Sequence, residues 1–252
     1  MLPAGTTHKA FVEIDSTNEE ARRLGEAGES GPVWITAEVQ TAGRGRRGRE
    51  WVSPTGNFMG TLFLRPHCSP RKGAELSFVA ALAVHDAVSS FLAPELRHAL
   101  RLKWPNDLLH DGRKCAGILL ESSGIAGAEL AWLAIGVGIN IAAHPDNVEY
   151  PATSMKALGV SDLTPDHALS GLAACFNLRI AQWRDLGFDA VRAAWLERAA
   201  GLGGPINVRL SDETFSGIFE GLAADGALEV RLDNGSLRLV SAGDVFFPDL
   251  TH

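Results

Sequence analysis

The 252-residue sequence predicts an α+β protein, in which a larger body of strands and helices is followed by a small β-barrel. Strand-like and helix-like patterns alternate along most of the chain, until a glycine- and proline-rich stretch at 201–205 interrupts them. Only short runs that alternate at strand period follow this hinge. The length fits one large domain with a small satellite, and we expect domains over 1–203 and 204–252.

The larger body begins with a predicted strand and a short helix that ends near Ala27. Ser16 or Thr17 can serve as the N-cap of this helix, because either hydroxyl can accept a backbone N–H. Glu19 or Glu20 would then close a capping box. The other helices are expected over 76–91, 166–184 and 188–199, and the strands over 9–14, 33–39, 58–64, 100–104, 108–110, 114–121 and 131–141.

The stretch after the hinge has the pattern of a series of hairpins. Tight turns are marked by Asp212-Glu213, Asp225-Gly226 and Asn234-Gly235. The strands around them are expected over 206–210, 214–220, 227–232 and 236–240. This stretch is also the acidic part of the chain, because residues 205–252 carry a net charge of −5 and the remainder carries −2.

Composition and charge exclude several classes of protein. Apolar residues make up 46% of the chain and charged residues 21%, which is typical of a globular protein and excludes a disordered one. A net charge of −7 argues against binding of nucleic acid through overall charge. Cys68, Cys115 and Cys175 lie far apart and form no CxxC, so neither a disulfide framework nor a zinc knuckle is expected.

The sequence also lacks a pattern that predicts membrane targeting. The first nine residues have no apolar core of the kind found in a signal peptide. The longest apolar run, over 130–143, includes Asn140 and falls short of the ~20 residues that a membrane-spanning helix needs. We therefore expect a cytoplasmic protein with no membrane partner.

One strongly basic loop contrasts with this acidic chain. Gly43-Arg44-Gly45-Arg46-Arg47-Gly48 matches GxGxxG, but no helix pattern follows, and no acidic residue lies between Glu50 and Glu75. A dinucleotide site requires both features, so it is rejected, and the sequence has no Walker lysine motif. Arginines suit phosphate and carboxylate, and the glycines would allow the loop to close as a lid over an anion. A solvated surface turn and an RNA-binding arm are the alternatives.

Three further patterns place polar side chains at strand ends or inside apolar runs. Lys103-Trp104-Pro105-Asn106-Asp107 projects an amide and a carboxylate from a turn, although a polar turn beneath a packed tryptophan would look the same. Lys114 begins an apolar strand beside small residues, where a lysine at a sheet edge is the alternative. Gly136, Gly138 and Asn140 lie in a strand that looks buried, and glycines there often mark the close approach of a ligand or a backbone.

Taken together, these patterns resemble the biotin protein ligase family. The matching segments occur in the family's order: Asp15-Ser16-Thr17-Asn18, residues 40–51 (QTAGRGRRGREW), Ser53-Pro54-Thr55-Gly56-Asn57, 103–107, 114–121 and 136–140. The resemblance implies a mixed β-sheet flanked by helices, of the class II synthetase-like type, and a small C-terminal SH3-like β-barrel. Regulatory members carry an N-terminal helix-turn-helix, whereas here the first strand begins by Lys9, so no DNA partner is expected.

The resemblance implies two half-reactions. Biotin and ATP give biotinyl-5′-AMP and pyrophosphate, and a lysine in the biotin carboxyl carrier domain of a carboxylase then takes the biotin. Attack of a carboxylate on an anionic phosphate needs cations, so Lys114 and Arg46 are expected to be catalytic and Mg²⁺ to neutralise the leaving pyrophosphate. Asp107 is the candidate to position or deprotonate the acceptor lysine. No metal site made of protein side chains is expected.

The resemblance also implies which residues bind the substrates. Biotin is expected to contact Ser16, Thr17, Asn18, Gln40, Gly43, Arg44, Gly45, Arg46, Lys114, Gly117 and Gly138. ATP is expected to contact Arg46, Arg47, Arg49, Trp51, Asn106, Lys114 and Asn140. Gly117 and Gly138 would let the ring and tail of biotin lie against their strands.

Three other functions are compatible with these residues. A lipoate or octanoate ligase or transferase shares the fold and the transfer of an acyl group to lysine. A nucleic-acid-binding module without catalysis would use the basic loop, and its binding would depend steeply on salt. A biotin-binding protein without catalysis is the third alternative. Members of the family often pair through sheet edges, so a homodimer is expected.

Overall fold

The computed structural model describes residues 2, 4–52, 54–123, 125–126, 129–146 and 148–248. The helices are α1 (Thr17–Glu26), α2 (Pro70–Ala74), α3 (Leu76–Phe91) and α4 (Pro165–Leu196). The strands before the hinge are β1 (Thr7–Ile14), β2 (Val33–Gln40), β3 (Phe58–Leu64), β4 (Leu100–Lys103), β5 (Asp107–His110), β6 (Arg113–Ser122), β7 (Ile125–Ala126), β8 (Glu129–Leu130) and β9 (Leu133–Ile139). Those after it are β10 (Pro205–Arg209), β11 (Thr214–Leu222), β12 (Leu228–Arg231), β13 (Leu237–Val240) and β14 (Asp244–Phe246).

A seven-stranded sheet in the order β1-β2-β3-β9-β6-β5-β4 forms the centre of the larger body. β1 and β2 run parallel with α1 between them in the chain, whereas the other neighbouring strands pair antiparallel. The sheet is therefore mixed, and the predicted α+β class is confirmed. β7 and β8 form a separate two-stranded ribbon.

Different helices cover the two faces of this sheet, which explains the nearly continuous apolar runs in its central strands. Val33 and Ile35 of β2 pack with Leu24 of α1. Trp34, which lies between them and points to the other face, belongs to the larger hydrophobic cluster with α3 and α4. Its ring lies 5.5 Å from the ring of Phe176 in α4, edge to face.

The segment Pro70–Phe91 is the one helical stretch of the described residues that is long and apolar enough to cross a membrane. Within it, 56% of the most apolar window is buried inside the protein. Val79, Leu82 and Val84 of α3 have no exposed surface at all. The burial of α3 in the protein core therefore accounts for its apolar composition.

α4 is interrupted at Gly187, whose φ is 75°. This left-handed conformation favours glycine and breaks the helical hydrogen-bond pattern. The break agrees with the expectation of two helices over 166–184 and 188–199. After it, Trp195 is buried in the same hydrophobic cluster as Val208 and Phe219 of the C-terminal strands, so one core runs through both parts of the chain.

The strands after the hinge form an antiparallel sheet in the order β13-β12-β11-β10-β14. A small β domain is confirmed, but the predicted barrel is not closed, because β13 and β14 are the edges of the sheet and no pairing of described residues joins them. These edge strands have only four and three residues, which leaves little backbone to pair with each other. β14 was not expected from the sequence, since three residues are too few to show an alternation.

The start of α1 differs from the expected capping box. Ser16 is the N-cap, but its side chain makes no capping hydrogen bond. The backbone N–H of Thr17 instead donates to Oε1 of Gln40, the last residue of β2, at 2.9 Å. A side chain from the sheet thus supplies an acceptor at this helix start, and it fixes the first turn of α1 against β2.

Candidate active site

A cavity of about 270 Å³ opens between the main sheet, the basic loop at 43–51 and β14. Most of the residues expected from the sequence line it: Ser16, Thr17, Asn18, Gln40, Arg44, Gly45, Arg46, Arg49, Trp51, Asn106, Asp107, Lys114, Gly117, Gly138 and Asn140. Gly43 and Arg47 do not line it. The carbonyl of Gly43 accepts the backbone N–H of Trp51 at 3.0 Å, and Arg47 reaches Asp244. Both residues therefore support the loop from behind the cavity wall.

The start of α1 gives the cavity a neutral polar end. Oγ1 of Thr61, on β3, lies 2.8 Å from Oγ1 of Thr17 and 2.6 Å from Oδ1 of Asn18. Nδ2 of Asn18 donates to Oε2 of Glu121, on β6, at 2.7 Å. Thr17, Asn18 and Thr61 are nearly fully buried, so their polar atoms must be satisfied by one another or by a ligand. Sequence reasoning missed Thr61, a single polar residue on a strand with no local motif, and it gave no role to Glu121 at the end of the matching segment 114–121.

Trp51 covers the glycines of β6 and β9. A Cβ at Gly138 would lie 2.3 Å from Cζ2 of Trp51, and a Cβ at Gly117 would lie 3.0 Å from Cζ3. The indole therefore lies directly on bare backbone, and Nζ of Lys114 lies 5.5 Å from its centroid. The sequence predicted that Gly117 and Gly138 leave this room for biotin. In this structure the indole of Trp51 packs on both glycines, and the contact of biotin with them stays a prediction.

Two lysines flank the buried carboxylate of Asp107 at the opposite, cationic end. Nζ of Lys114 lies 2.6 Å from Oδ1, and Nζ of Lys103 lies 3.9 Å from Oδ2. Burial acts to raise the pKa of Asp107, but the charges of both lysines outweigh it and hold this pKa below its usual range. Burial also lowers the pKa of Lys103, whose ammonium lies 3.7 Å from the ring centroid of Tyr150. A carboxylate with a lowered pKa is a weak base, so Asp107 is better suited to position an ammonium than to deprotonate it.

Three arginines of the basic loop converge on Asp244 of β14. Nη1 of Arg47 lies 3.3 Å from Oδ2 of Asp244, Nη1 of Arg46 lies 3.8 Å from Oδ1, and Arg49 also pairs with this carboxylate. Arg46 donates a further hydrogen bond to the carbonyl of Gly243 at 3.1 Å. The loop that the sequence predicts as a lid is thus held against the C-terminal sheet. Asp244 was missed because it is a lone acid 197 residues away from Arg47.

Arg44 ties the other side of the basic loop to the polar end. Its guanidinium lies 3.2 Å from the carboxylate of Glu19 and 3.3 Å from that of Glu121. Hydrogen bonds from Arg22 and Arg44 hold the pKa of Glu19 below its usual range, although burial opposes them. The four arginines of this loop therefore point in two directions, one toward α1 and three toward β14.

The expected asparagines hold backbone at the cavity wall. Nδ2 of Asn106 donates to the carbonyl of Ile118 at 2.6 Å, and Nδ2 of Asn140 donates to that of Thr153 at 3.0 Å. Ser53 of the segment 53–57 lies outside the described residues. No group of three His, Cys, Asp or Glu side chains is placed to hold a metal in the part of the chain that the structure describes.

Comparisons with known proteins give consistent results. The model of the biotin/lipoate A/B protein ligase family matches residues 11–140, and that of the biotin protein ligase C terminal domain matches 201–247. The chain is 48% identical to the biotin–[acetyl-CoA-carboxylase] ligase of Paracoccus denitrificans, over 94% of this chain and 99% of that protein. It is 34% identical to the bifunctional ligase/repressor BirA of Escherichia coli, over 87% of this chain and 68% of that protein.

Solved structures share the fold. The biotin protein ligase from Aquifex aeolicus in complex with biotin and ATP aligns with a TM-score of 0.79 at 24% identity, over 95% of this chain and 97% of that one. The biotin protein ligase from Leishmania major in complex with biotinyl-5-AMP aligns with a TM-score of 0.64 at 25% identity, over 95% and 100% of the two chains. The similarity therefore extends over the main sheet and the C-terminal strands together.

Proposed function

The chain belongs to the biotin/lipoate A/B protein ligase family, and from this premise we propose that it activates biotin with ATP and transfers the biotinyl group to a lysine of a biotin carboxyl carrier protein. It is an enzyme, a biotin–[carboxyl-carrier protein] ligase whose intermediate is biotinyl-5′-AMP. The observation that carries the proposal is one cavity in which a neutral polar end faces a cluster of cations. The two ends of biotin match the two ends of the cavity. Its neutral ring suits the polar end, and its carboxylate, which must react with a phosphate, suits the cations.

In the first step, an oxygen of the biotin carboxylate attacks the α-phosphorus of ATP. The bond between that phosphorus and the bridging oxygen breaks, and pyrophosphate leaves. Both reactants are anionic, so Lys114 and Arg46 offset their repulsion and stabilise the charge that develops on the phosphate. Both cations are already at the cavity wall, paired with Asp107 and Asp244, so the phosphates would share them with these carboxylates.

Mg²⁺ belongs with the ATP in this proposal. The residues present fit a magnesium ion that is held mainly by substrate phosphates and water, since the described residues offer no cage of acidic side chains. Asn140 is the side chain that would approach it, through its amide oxygen, because its amide nitrogen holds the carbonyl of Thr153. When bound, Mg²⁺ supplies neutralisation of the leaving pyrophosphate.

In the second step, the amine of the carrier lysine attacks the carbonyl carbon of biotinyl-5′-AMP. The bond from this carbon to the phosphate oxygen breaks, AMP leaves, and an amide bond forms. Asp107 accepts a hydrogen bond from the incoming amine and orients it, in the way that it now holds Lys114 at 2.6 Å. The proton that the amine loses passes to the departing phosphate or to water, because the pKa of Asp107 is held low.

The remaining features of the proposal concern partners and organisation. The partner is the biotin carboxyl carrier domain of a carboxylase, and the protein acts in the cytoplasm without DNA or a membrane. We place the domain boundary after residue 203 and assign the C-terminal sheet to the SH3-like type. A homodimer would pair through a sheet edge, and β1 is such an edge, with Val12 72% exposed.

Lipoate is the one rival substrate that a specific observation favours, because the matching family model covers biotin and lipoate ligases together. A test supplies the purified protein with ATP, Mg²⁺ and either biotin or lipoate, and measures the acyl-adenylate by mass spectrometry. Biotinyl-5′-AMP alone is the expected product, followed by biotinylation of an added carrier domain. Lipoyl-AMP as the main product would overturn the proposal. A role in nucleic-acid binding is disfavoured, since the loop arginines are paired with Glu19, Glu121 and Asp244.

A further inference from the structure

We infer that Glu121, acting through Asn18 and Thr61, makes the polar end of the cavity select a ligand ring that carries N–H donors. The inference rests on the proposed function, since it explains how this end would choose the cyclic urea of biotin. Glu121 and Thr61 lie behind the wall and are not among the residues that line the cavity. Glu121 is therefore a positioning residue that would act without touching the substrate.

The direction of the hydrogen bonds is set by two acceptors on β6: the carboxylate of Glu121 and, at the longer distance of 3.4 Å, the carbonyl of Leu119, to which Nδ2 of Asn18 also donates. Oε2 of Glu121 accepts from Nδ2 of Asn18 at 2.7 Å, and Arg44 lies beside the same carboxylate. A carboxylate paired with a guanidinium only accepts hydrogen bonds, so the amide of Asn18 must present its nitrogen here and its oxygen on the other side. That oxygen lies 2.6 Å from Oγ1 of Thr61. Because an amide oxygen has no proton, Thr61 uses its single hydroxyl proton in this hydrogen bond.

The use of the Thr61 proton also fixes the direction of any hydrogen bond between Thr61 and Thr17. The two hydroxyl oxygens are 2.8 Å apart, and Thr61 can only accept there, since its own proton is directed to Asn18. The proton of Thr17 then goes to Thr61 or to Oε1 of Gln40, 3.1 Å away. In both arrangements it stays inside the protein. The atoms that Thr17 and Asn18 present to the cavity they line are therefore oxygen lone pairs.

Because these groups are buried, the orientation of their hydrogen bonds affects the free energy of ligand binding. Thr61 has no exposed surface and Asn18 is 5% exposed, so neither can turn to water for an alternative partner. A Cβ at Gly136 would lie 2.4 Å from Oδ1 of Asn18, which places this oxygen directly against bare backbone of the cavity wall. A ligand that offers no donor would leave the remaining lone pairs of these oxygens buried without a hydrogen bond.

The chemistry of the two rival ligands differs at this point. The ring of biotin is a urea with two N–H donors, whereas the dithiolane ring of lipoate has none. A site built to accept hydrogen bonds from a ligand rejects an analogue that lacks the donor far more strongly than an apolar pocket rejects a change of size. The carboxylate of Glu121 thus accounts for a preference for biotin over lipoate through the orientation of one amide.

The test compares biotin with its cyclic carbamate analogue, in which oxygen replaces one ureido N–H. Wild-type protein should prefer biotin by about 10²-fold in kcat/KM of ATP–pyrophosphate exchange. In Glu121→Gln the new amide can donate as well as accept, so only the longer hydrogen bond to the carbonyl of Leu119 still opposes reversal of Asn18. This preference should then fall about tenfold, through a higher KM for biotin and with kcat within about twofold of wild type. Thr61→Val should act in the same direction, and Thr61→Ser, which keeps the hydroxyl, should retain the preference.

Glu19→Gln is the matched control, because Glu19 pairs with Arg44 but not with Asn18. It should leave the preference for biotin over the carbamate unchanged. An equal loss of preference in Glu19→Gln would mean that Glu121 acts through Arg44, and an unchanged preference in Glu121→Gln would be equally decisive against the inference. Either of these two results, obtained with a wild-type protein that forms biotinyl-5′-AMP, overturns this inference and leaves the proposed function standing. A wild-type protein that forms no biotinyl-5′-AMP overturns the proposed function as well.

Discussion

The two ends of the cavity hold their polar groups in different ways. At the polar end, Thr17, Asn18 and Thr61 are neutral, nearly fully buried and joined by short hydrogen bonds. At the cationic end, the lysines surround Asp107, and the loop arginines surround Asp244. One end thus presents neutral groups, which the Glu121–Arg44 ion pair holds through Asn18, and the other presents the ion pairs themselves.

This difference separates recognition from chemistry. A buried neutral donor or acceptor that loses its partner costs about 1–3 kcal/mol, so the polar end must be complete before a ligand arrives. A cation can bind a second anion while it keeps the first, so substrate phosphates can share Lys114 and Arg46 with Asp107 and Asp244. We therefore expect substitutions at the cationic end to change ATP chemistry far more than biotin affinity.

The largest effect is expected for Lys114→Ala. Loss of this cation should reduce ATP–pyrophosphate exchange about 10²–10³-fold, because the charge of the attacked phosphate is no longer stabilised. Biotin affinity by isothermal titration should fall by a much smaller factor, because Lys114 is only one of the residues expected to contact biotin. Arg113→Ala is the control, since Arg113 is the exposed neighbour of Lys114 on the same strand. Normal exchange by Lys114→Ala would remove this residue from the mechanism.

Asp244→Asn should have the next largest effect. Without the shared carboxylate, Arg46, Arg47 and Arg49 repel one another, and Arg46 and Arg49 are held less firmly at the cavity wall. The KM for ATP should rise about tenfold, because the arginines must be ordered again when the phosphates bind. Asp244→Glu should restore part of the loss. If Asp244→Asn weakened the binding of biotin as much as the binding of ATP, the two ends of the cavity would not be independent.

A smaller effect is expected for Arg46→Ala, which removes one loop arginine from the cavity wall. Biotinyl-5′-AMP should escape several-fold faster, as measured by mass spectrometry of the filtrate in the absence of a carrier protein. Arg47→Ala offers a control within the same loop, because Arg47 does not line the cavity. Unchanged retention of the adenylate in Arg46→Ala would contradict the role of the loop as a lid.

The smallest effect concerns Asp15, which anchors the start of α1 beside the polar end. A hydrogen bond from Arg23 lowers the pKa of Asp15 to about 2, although burial opposes it. The stabilisation is therefore present above about pH 4 and is lost as the pH falls through about 2. Because this side chain is 43% exposed, we expect Asp15→Asn to lower the free energy of unfolding at pH 7 by under about 1 kcal/mol.

Denaturant titrations at several pH values check this prediction. The difference between wild type and Asp15→Asn should shrink toward zero at about pH 2. Asp185→Asn, a change at an exposed position on α4, should show no such difference. If the free energies of unfolding of wild type and Asp15→Asn differed by the same amount at all pH values, the charge of the Asp15 carboxylate would contribute nothing to stability.

Elements with strong periodicity could be predicted from the sequence. The expected strand 58–64 and helix 76–91 coincide with β3 and α3, since each combines a clear apolar pattern with enough length. The motif residues gather around one cavity because they lie at the ends of neighbouring strands or in the loop above them. The open C-terminal sheet was harder to predict, since nothing in short alternating runs tells whether the edge strands pair.

Residues that act through distant partners could not be predicted. Thr61 and Asp244 belong to no local motif, and Glu121 only ends one, so each becomes important because the fold brings it to a motif residue far away in the chain. Gln40 was expected to bind a ligand, yet it also supplies the acceptor for Thr17 that a local cap was expected to provide. Side-chain pairing across the sheet therefore decides how the motif residues are oriented.

Because Trp51 packs on Gly117 and Gly138 at the cavity, its fluorescence can report on ligand binding there. The emission of an indole depends on its surroundings, and this one lies on bare backbone with the ammonium of Lys114 5.5 Å from its centroid. The chain has six tryptophans, and Trp51→Phe would isolate the contribution of this ring to the fluorescence. Stopped-flow measurements on unlabelled protein could then time the arrival of biotin and ATP separately.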